Sequence, residues 1–199
     1  GDWIGIPKYN IEGNIQDINL LTTKIVNFDK TISTIPTYDL LSTEIRNHQV
    51  MYEGSSRRIK RSIYFNIKSF KFVDDEFYEK VKDINLISEY LDRKLREIAE
   101  SKKNIPHAER IINGQQLTNI GLFRNYVLNY LKNNPKVDQD EIVLVRQLEI
   151  SPQGMPLEIY CFANKAELVD YERIQADIFD HILTAAQEFD LEIMQVAKA

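Results

Sequence analysis

Hydrophobic spacing changes along this chain, and the change constrains its fold more than any other feature. Over residues 2–47 the apolar residues come in short runs rich in Ile, Val and Thr: "DWIGI", "IQDINL", "TTKIVNF" and "TISTIP". The polar turn "YNIEGN" and the pair Asp29-Lys30 separate them. Pro36 closes the last run, because it has no N–H for a further ladder bond. The spacing predicts a small barrel or meander of four or five strands, with "TYDLL" as one helical turn and "STEIRN" as a last short strand. So small and bent a sheet is marginal alone and calls for packing or association.

Further along, "RSIYFNIKSFKF" (61–72) reads as one long strand with Ile63, Phe65 and Ile67 on one face. Asp74 and Asp75 can cap a helix through "DEFYEKVKDI", since a carboxylate accepts from the open N–H groups of a first turn. Ile84, Ile87, Leu91, Leu95 and Ile98 recur at helical spacing and predict a helix over 84–101. "KKNIPHAERIINGQQ" is mixed and polar and reads as a loop. Thr118 or Asn119 caps a helix through "GLFRNYVLNYLKNN" that Pro135 terminates. "EIVLVRQLEI" and "PLEIYCFA" flank "SPQGM", where Gly154 can take the positive φ of a hairpin turn. Leu168, Tyr171, Ile174, Ile178, Ile182, Ala185 and Phe189 form one apolar stripe on the clearest helix, and "LEIMQV" follows as a final strand. The order is the ferredoxin-like β-α-β-β-α-β, enlarged by a helical insertion at about 84–117. The expected class is therefore α+β, with a β domain over 1–53 and an α/β domain over 54–199.

The side chains that carry chemistry are sparse. No phosphate-cradling glycine loop and no HExxH helix is written here. His48, His107 and His181 stand in unlike contexts, and His181, next to Asp180, reads as an ordinary helix histidine. Cys161 is alone, which excludes a disulfide framework or a multi-cysteine metal site within one chain and fits a reducing compartment. Its strand context predicts a buried, inert thiol. Asp138, Asp140 and Glu141 lack EF-hand spacing and read as a solvated turn. Neither an enzyme nor a cofactor is expected. No apolar run reaches the ~18 residues that span a bilayer, and the first residues do not read as a signal peptide. The chain opens on Gly1 rather than Met and reads as a piece of a longer protein.

One run stands out in a chain of net charge −5: "GSSRRIKRSI", with Arg57, Arg58, Lys60 and Arg61 in five positions. It can blunt a strand edge, serve a membrane-proximal or subunit junction, or grip nucleic acid. The last is opposed by the acidic chain and by the lack of interleaved aromatics.

At "GDWI", "EGNIQDI", Thr22, "TIPT" and "IRN" the sequence resembles the small-conductance mechanosensitive channel (MscS-type) family, in which a Gly-Asp pair follows the pore helix and an Ile-Pro-Asn motif lies in a cytosolic β domain. The residues carrying the β-domain pattern are Gly1, Asp2, Gly13, Thr22, Ile35, Pro36, Thr37 and Asn47. Thr37 replaces the family's usual Asn, and Asp29-Lys30 its usual Asp-Gly. These departures, with "GSSRRIKRSI", "TNIGLFRNYVLNYL", "VRQLEISPQGMPLEIYCFANK" and "YERIQADIFDHI", look like the miniconductance (YbdG-like) branch.

The resemblance implies an Sm-like β domain and a ferredoxin-like domain joined in a ring of seven copies, with transmembrane helices preceding Gly1. The ring would enclose a water-filled vestibule on the cytoplasmic side of a bacterial inner membrane. Ions and small osmolytes would pass through it when tension opens the pore after hypo-osmotic shock. A terminal barrel is expected to be absent or vestigial, and no nucleic-acid partner is implied. Arg57, Arg58, Lys60 and Arg61 would lie at the domain junction near the vestibule wall. The alternative is a soluble Sm-like plus ferredoxin-like module that binds RNA through the same run.

Overall fold

The computed structural model describes residues 1–195, and the chain divides into two compact units, Gly1–Arg57 and Arg58–Ala199. In the first unit, β1 (Trp3–Ile6), β2 (Ile11–Ile18), β3 (Thr22–Asn27), β4 (Ile32–Pro36) and β5 (Arg46–Asn47) form one sheet in the order β4-β3-β2-β1-β5. Every pairing is antiparallel. The turn before β2 is tighter than the sequence suggests. A 3-10 turn at Pro7–Tyr9 ends on Asn10 in the left-handed region (φ 51°), so "EGN" lies inside the strand. Asn accepts that conformation at low cost. A register shift between Ile15 and Asp17 bends β2, as a bulge does. The turn α1 (Asp39–Ser42) is as expected, whereas the short helix α2 (Gln49–Glu53), with neither a side-chain cap nor a buried residue, is not foreseen from the sequence. The core is small: Ile4, Ile6, Ile25 and Ile35, backed by half-buried Ile11, Ile15, Leu40 and Ile45.

The strand β6 (Arg57–Phe65), all but its first residue in the second unit, starts four residues earlier than expected and stops sooner. Asn66 ends it: its side chain accepts from the Lys68 N–H and opens a 3-10 turn over Ile67–Ser69, which leaves Ile67 exposed. Phe72 contributes only an isolated bridge to Thr118. The elements that follow are α3 (Asp75–Val81), α4 (Asn85–Lys102), α5 (Asn119–Lys132), β7 (Leu144–Gln147), β8 (Met155–Ala163) and α6 (Leu168–Ala185). Asp74 caps α3 through the Phe77 N–H at 2.9 Å. Thr118 caps α5 through the Gly121 N–H at 3.2 Å.

Asn119, the other cap candidate, is instead a fully buried tie. Its oxygen accepts from the Lys71 and Ile120 N–H groups, and its NH2 donates to the Ser69 and Phe189 carbonyls, all at 2.9–3.1 Å. The helix α5 ends at Lys132, ahead of Pro135. Gly154 takes φ +108° in the β7–β8 connection, as its position demands.

The strands lie in the order β6-β8-β7. Ile193 adds an antiparallel bridge to Phe65, supported by Asn66 N–H to Glu192 C=O and Met194 N–H to Tyr64 C=O, both 2.8 Å. The expected last strand is thus one bridge, and Val196 of "LEIMQV" lies outside the described residues. The sheet packs Ile59, Ile63, Phe65, Val145, Leu157, Ile159 and Cys161, all odd-numbered, into a core with the helices. Ile87, Leu91 and Ile98 of α4 join that core, so the insertion is built into the fold. Leu95 and Leu168, expected on apolar stripes, are exposed, and Ala186 is buried where Ala185 is only partly so.

Candidate functional site

Because the basic run lies within β6 rather than ahead of it, its side chains alternate between the two faces of a sheet. Ile59 between them is fully buried. Arg58 and Lys60 share the face opposite the core with Glu158 and Tyr160 of β8 and Arg146 of β7. The Arg58 guanidinium is 5.9 Å from the Tyr160 ring centre, in cation–π range. Arg61, of the other parity, lies 5.0 Å from the Phe179 ring of α6. The Arg57 guanidinium is 5.8 Å from the Trp3 ring.

Glu158 organises this face. Only 5% of it is exposed, so its carboxylate needs pairing to offset lost hydration. Arg146 supplies it, donating Nε–H (2.8 Å) and Nη2–H (2.7 Å) to Glu158 Oε1. Lys60 Nζ stands 3.9 Å from Oε2, close enough for attraction but too far for a hydrogen bond. Arg58, Lys60 and Arg146 against one carboxylate leave the face net positive within an acidic chain. It can attract anions. Sequence reasoning missed Glu158 and Arg146. The signal was there: a lone acid between Leu157 and Ile159 on a strand must face away from the core. The stacking partner expected to be lacking comes from β8, not from the run itself.

The eight β-domain residues fall at the fastenings of the first unit. Gly1 and Gly13 sit where a Cβ would strike backbone, of Ile15 and of Val26 and Asn27 respectively. Asp2 accepts from Asn47 Nδ2 at 2.8 Å, and Asn47 Oδ1 accepts the Gln49 N–H at 2.8 Å, so one pair ties the entry of the chain to the start of α2. Thr22 is held by Asn19, whose oxygen accepts its N–H at 2.8 Å. Ile35 is core, and Pro36 pairs opposite Thr22 at the end of β4. The Thr37 hydroxyl donates to the Asn19 carbonyl at 2.8 Å and lies 3.1 Å from the hydroxyl of buried Thr23. These residues position backbone; none is arranged for catalysis.

The remaining candidates are structural. Burial pushes the Cys161 thiol up to about 12, which keeps it protonated and inert. His181 Nε2 meets the Tyr126 hydroxyl at 2.7 Å, and its ring stacks on Tyr130 at 4.1 Å. Asp138 Oδ1 accepts the Asp140 N–H at 3.1 Å within a turn. Among the described residues no group of three or more His, Cys, Asp and Glu is placed to hold a metal ion, and no helix is long and apolar enough to cross a membrane.

Residues 1–50 match the family described as "Mechanosensitive ion channel, beta-domain", and residues 75–193 that described as "Mechanosensitive ion channel MscS, C-terminal". The chain belongs to the MscS family of mechanosensitive ion channels. It is 24% identical over 187 residues to the low conductance mechanosensitive channel YnaI of Escherichia coli (strain K12), covering 94% of this chain and 40% of that protein. In fold it is similar to the cryo-EM structure of Arabidopsis thaliana MSL1, with TM-score 0.60 and 15% identity over 98% of this chain and 52% of that one. It is also similar to the closed-state crystal structure of Helicobacter pylori MscS, with TM-score 0.54 and 15% identity, covering 100% and 57%. The chain thus spans between 40% and 57% of the length of these proteins. The basic run falls between the two matched regions.

Proposed function

We propose that this chain is the cytosolic vestibule part of a tension-gated channel of the miniconductance (YbdG-like) branch, releasing ions and small osmolytes on hypo-osmotic shock. The observation that carries the reading is the succession, in one chain, of the β-domain and C-terminal regions of the MscS family. In this reading transmembrane helices precede Gly1, in a bacterial inner membrane, and the part described here faces the cytoplasm. The catalytic function class is set aside, since the relatives are channels.

Seven copies would close a ring. β4 and β5 are the two edges of the first unit's sheet, and pairing of unlike edges around a closed ring would remove both. We place the domain boundary at 53/54, ahead of the Gly54–Ser56 stretch that leads from α2 into β6, and the basic run beyond it at the vestibule wall. Arg58 is the residue there best placed to act on passing anions, since Lys60 and Arg146 are engaged by Glu158. The RNA alternative gains Tyr160 beside Arg58 but is still opposed by the net charge of −5 that the chain carries as a whole.

The test is the full-length parent reconstituted in liposomes and stretched by suction. Tension-dependent current is expected, and silence up to bilayer rupture refutes channel function. Neutralising Arg57, Arg58, Lys60 and Arg61 together is expected to alter conductance, selectivity or assembly; no change in any of these returns the run to a blunted strand edge.

A further inference from the structure

A groove of about 460 Å³ runs between α4 and α5, within the size range of small-molecule sites. Its α5 wall is a ladder of amides. Asn125, Asn129 and Asn133 recur every fourth residue and so stand one above another on a single helix face. Packing alone would not choose them, because Asn is a weaker helix former than Leu or Ala and buries little apolar surface.

The hydrogen bonds fix how these amides point. Asn129 Nδ2 donates to the Leu86 carbonyl (2.6 Å) and to Asn125 Oδ1 (3.2 Å), which uses both of its protons. Asn133 Nδ2 donates to the Asn129 carbonyl at 2.8 Å. The Asn125 oxygen is thereby turned into the ladder, and its NH2 group finds no acceptor among the described residues. Asn129 Oδ1 likewise receives no donor among them.

The α4 wall adds two opposite charges four residues apart, a rise of about 6 Å along the helix. Glu89 and Arg93 have the i, i+4 spacing that favours pairing. Arg93 instead lies 5.6 Å from the Tyr90 ring centre and 3.9 Å from Glu97. Glu89 has no ion-pair partner among the described residues.

An unpaired carboxylate, a guanidinium one turn on and a facing row with unspent amide donors and acceptors describe a receptor for a solute whose opposite charges are close together. We propose that this groove binds small zwitterionic solutes of the α-amino-acid class. The ammonium group sits on Glu89 and Asn129 Oδ1, and the carboxylate on Arg93 and Asn125 Nδ2. The inference does not rest on the channel reading, and its failure leaves that reading untouched.

The experiment is an NMR titration of the 199-residue chain with L-alanine, following the side-chain amide signals of Asn125 and Asn129. Saturable shifts are expected at these signals, with glycerol, which has the hydrogen-bonding groups but no charge, producing none. Glu89→Gln and Arg93→Gln, both at exposed positions, should each weaken binding about tenfold or more, as loss of a charge-assisted hydrogen bond does. Absence of saturable shifts, equal binding of glycerol, or unchanged binding in both variants overturns the proposal.

Discussion

Replacing Gly13 by Ala tests how the first unit is held together. A Cβ at Gly13 would fall inside the contact distance of the Val26 carbonyl oxygen and 2.7 Å from the Asn27 Cα. Both obstacles are backbone, in the strand paired with β2 at this level, where Gly13 faces Asn27 and Asn14 faces Val26. No side chain can rotate to make room, so β2 and β3 must part. Overpacking of this kind costs roughly 1–3 kcal/mol, and each ladder hydrogen bond lost adds about 1. We take about 3 kcal/mol for the substitution. A unit of this size, with four buried isoleucines as its core, holds only about 3–5 kcal/mol in total. Gly13→Ala should therefore leave it close to its own unfolding midpoint in plain buffer.

The chain provides a reporter for this unit alone. Trp3 is its only tryptophan, packed edge-on against Phe28 at 5.2 Å and beside His48 at 5.0 Å. Far-UV circular dichroism is instead dominated by α3–α6 of the other unit. With a urea slope of about 1 kcal/mol per M for so small a unit, the tryptophan transition should fall by about 3 M in Gly13→Ala while the helical transition stays in place. A tryptophan midpoint within about 0.5 M of wild type, given the same slope, would refute the close-approach argument.

Gly154→Ala should do the reverse, since its φ of +108° and a Cβ 2.5 Å from the Phe65 carbonyl oxygen strike the second unit: the helical transition falls and the Trp3 signal holds. Arg146→Ala leaves buried Glu158 with only Lys60 at 3.9 Å and should cost about 2 kcal/mol by urea melt; Arg146→Met with Glu158→Met should recover most of it, and a double variant as unstable as the single one counts against an orphaned carboxylate. Thr37→Val strands the hydroxyl of fully buried Thr23 and should lower the Trp3 transition by about 1–2 kcal/mol, whereas Thr37→Ser, which keeps the oxygen, should not. Hydrogen bonds from Lys71 and then Lys80 hold the Asp190 carboxyl below its ordinary range, so its contribution is complete above the unfolded value near 3.9 and is lost as pH falls through the folded one. Lys71 is raised by Asp190, so that half is present below its ordinary value and fades at still higher pH. Acid melts of Asp190→Asn should show a shallower loss below about pH 4, reduced in size by salt because the pair is exposed; identical acid curves would refute the assignment.

Element type was legible wherever a local mechanism wrote it: Asp74 and Thr118 as caps, Gly154 as a hairpin residue, the apolar stripe of α6. What failed was register. The basic run was visible as composition, yet composition cannot say where a strand begins, and a shift of start hides which side chains meet across the sheet. The sequence did hold the parity. Ile59, Ile63 and Phe65 are odd-numbered and apolar, so Arg58 and Lys60 had to share the other face, and the even residue Glu158 of the neighbouring strand had to meet them there. Reading β6 from Arg61 discarded Ile59 and with it that inference.

The amides of α5 show the opposite limit. A period of four at 125, 129 and 133 is plain in the sequence, but it predicts only a polar stripe, which on most helices faces water. Its turn toward α4 follows from long-range packing, because Ile87 and Leu91 enter the core and carry Glu89 and Arg93 into place opposite the ladder. No window of local sequence contains that constraint. The two cases divide along one line: what a residue can do was readable from its type and parity, and what it faces depended on a partner strand or helix tens of residues away.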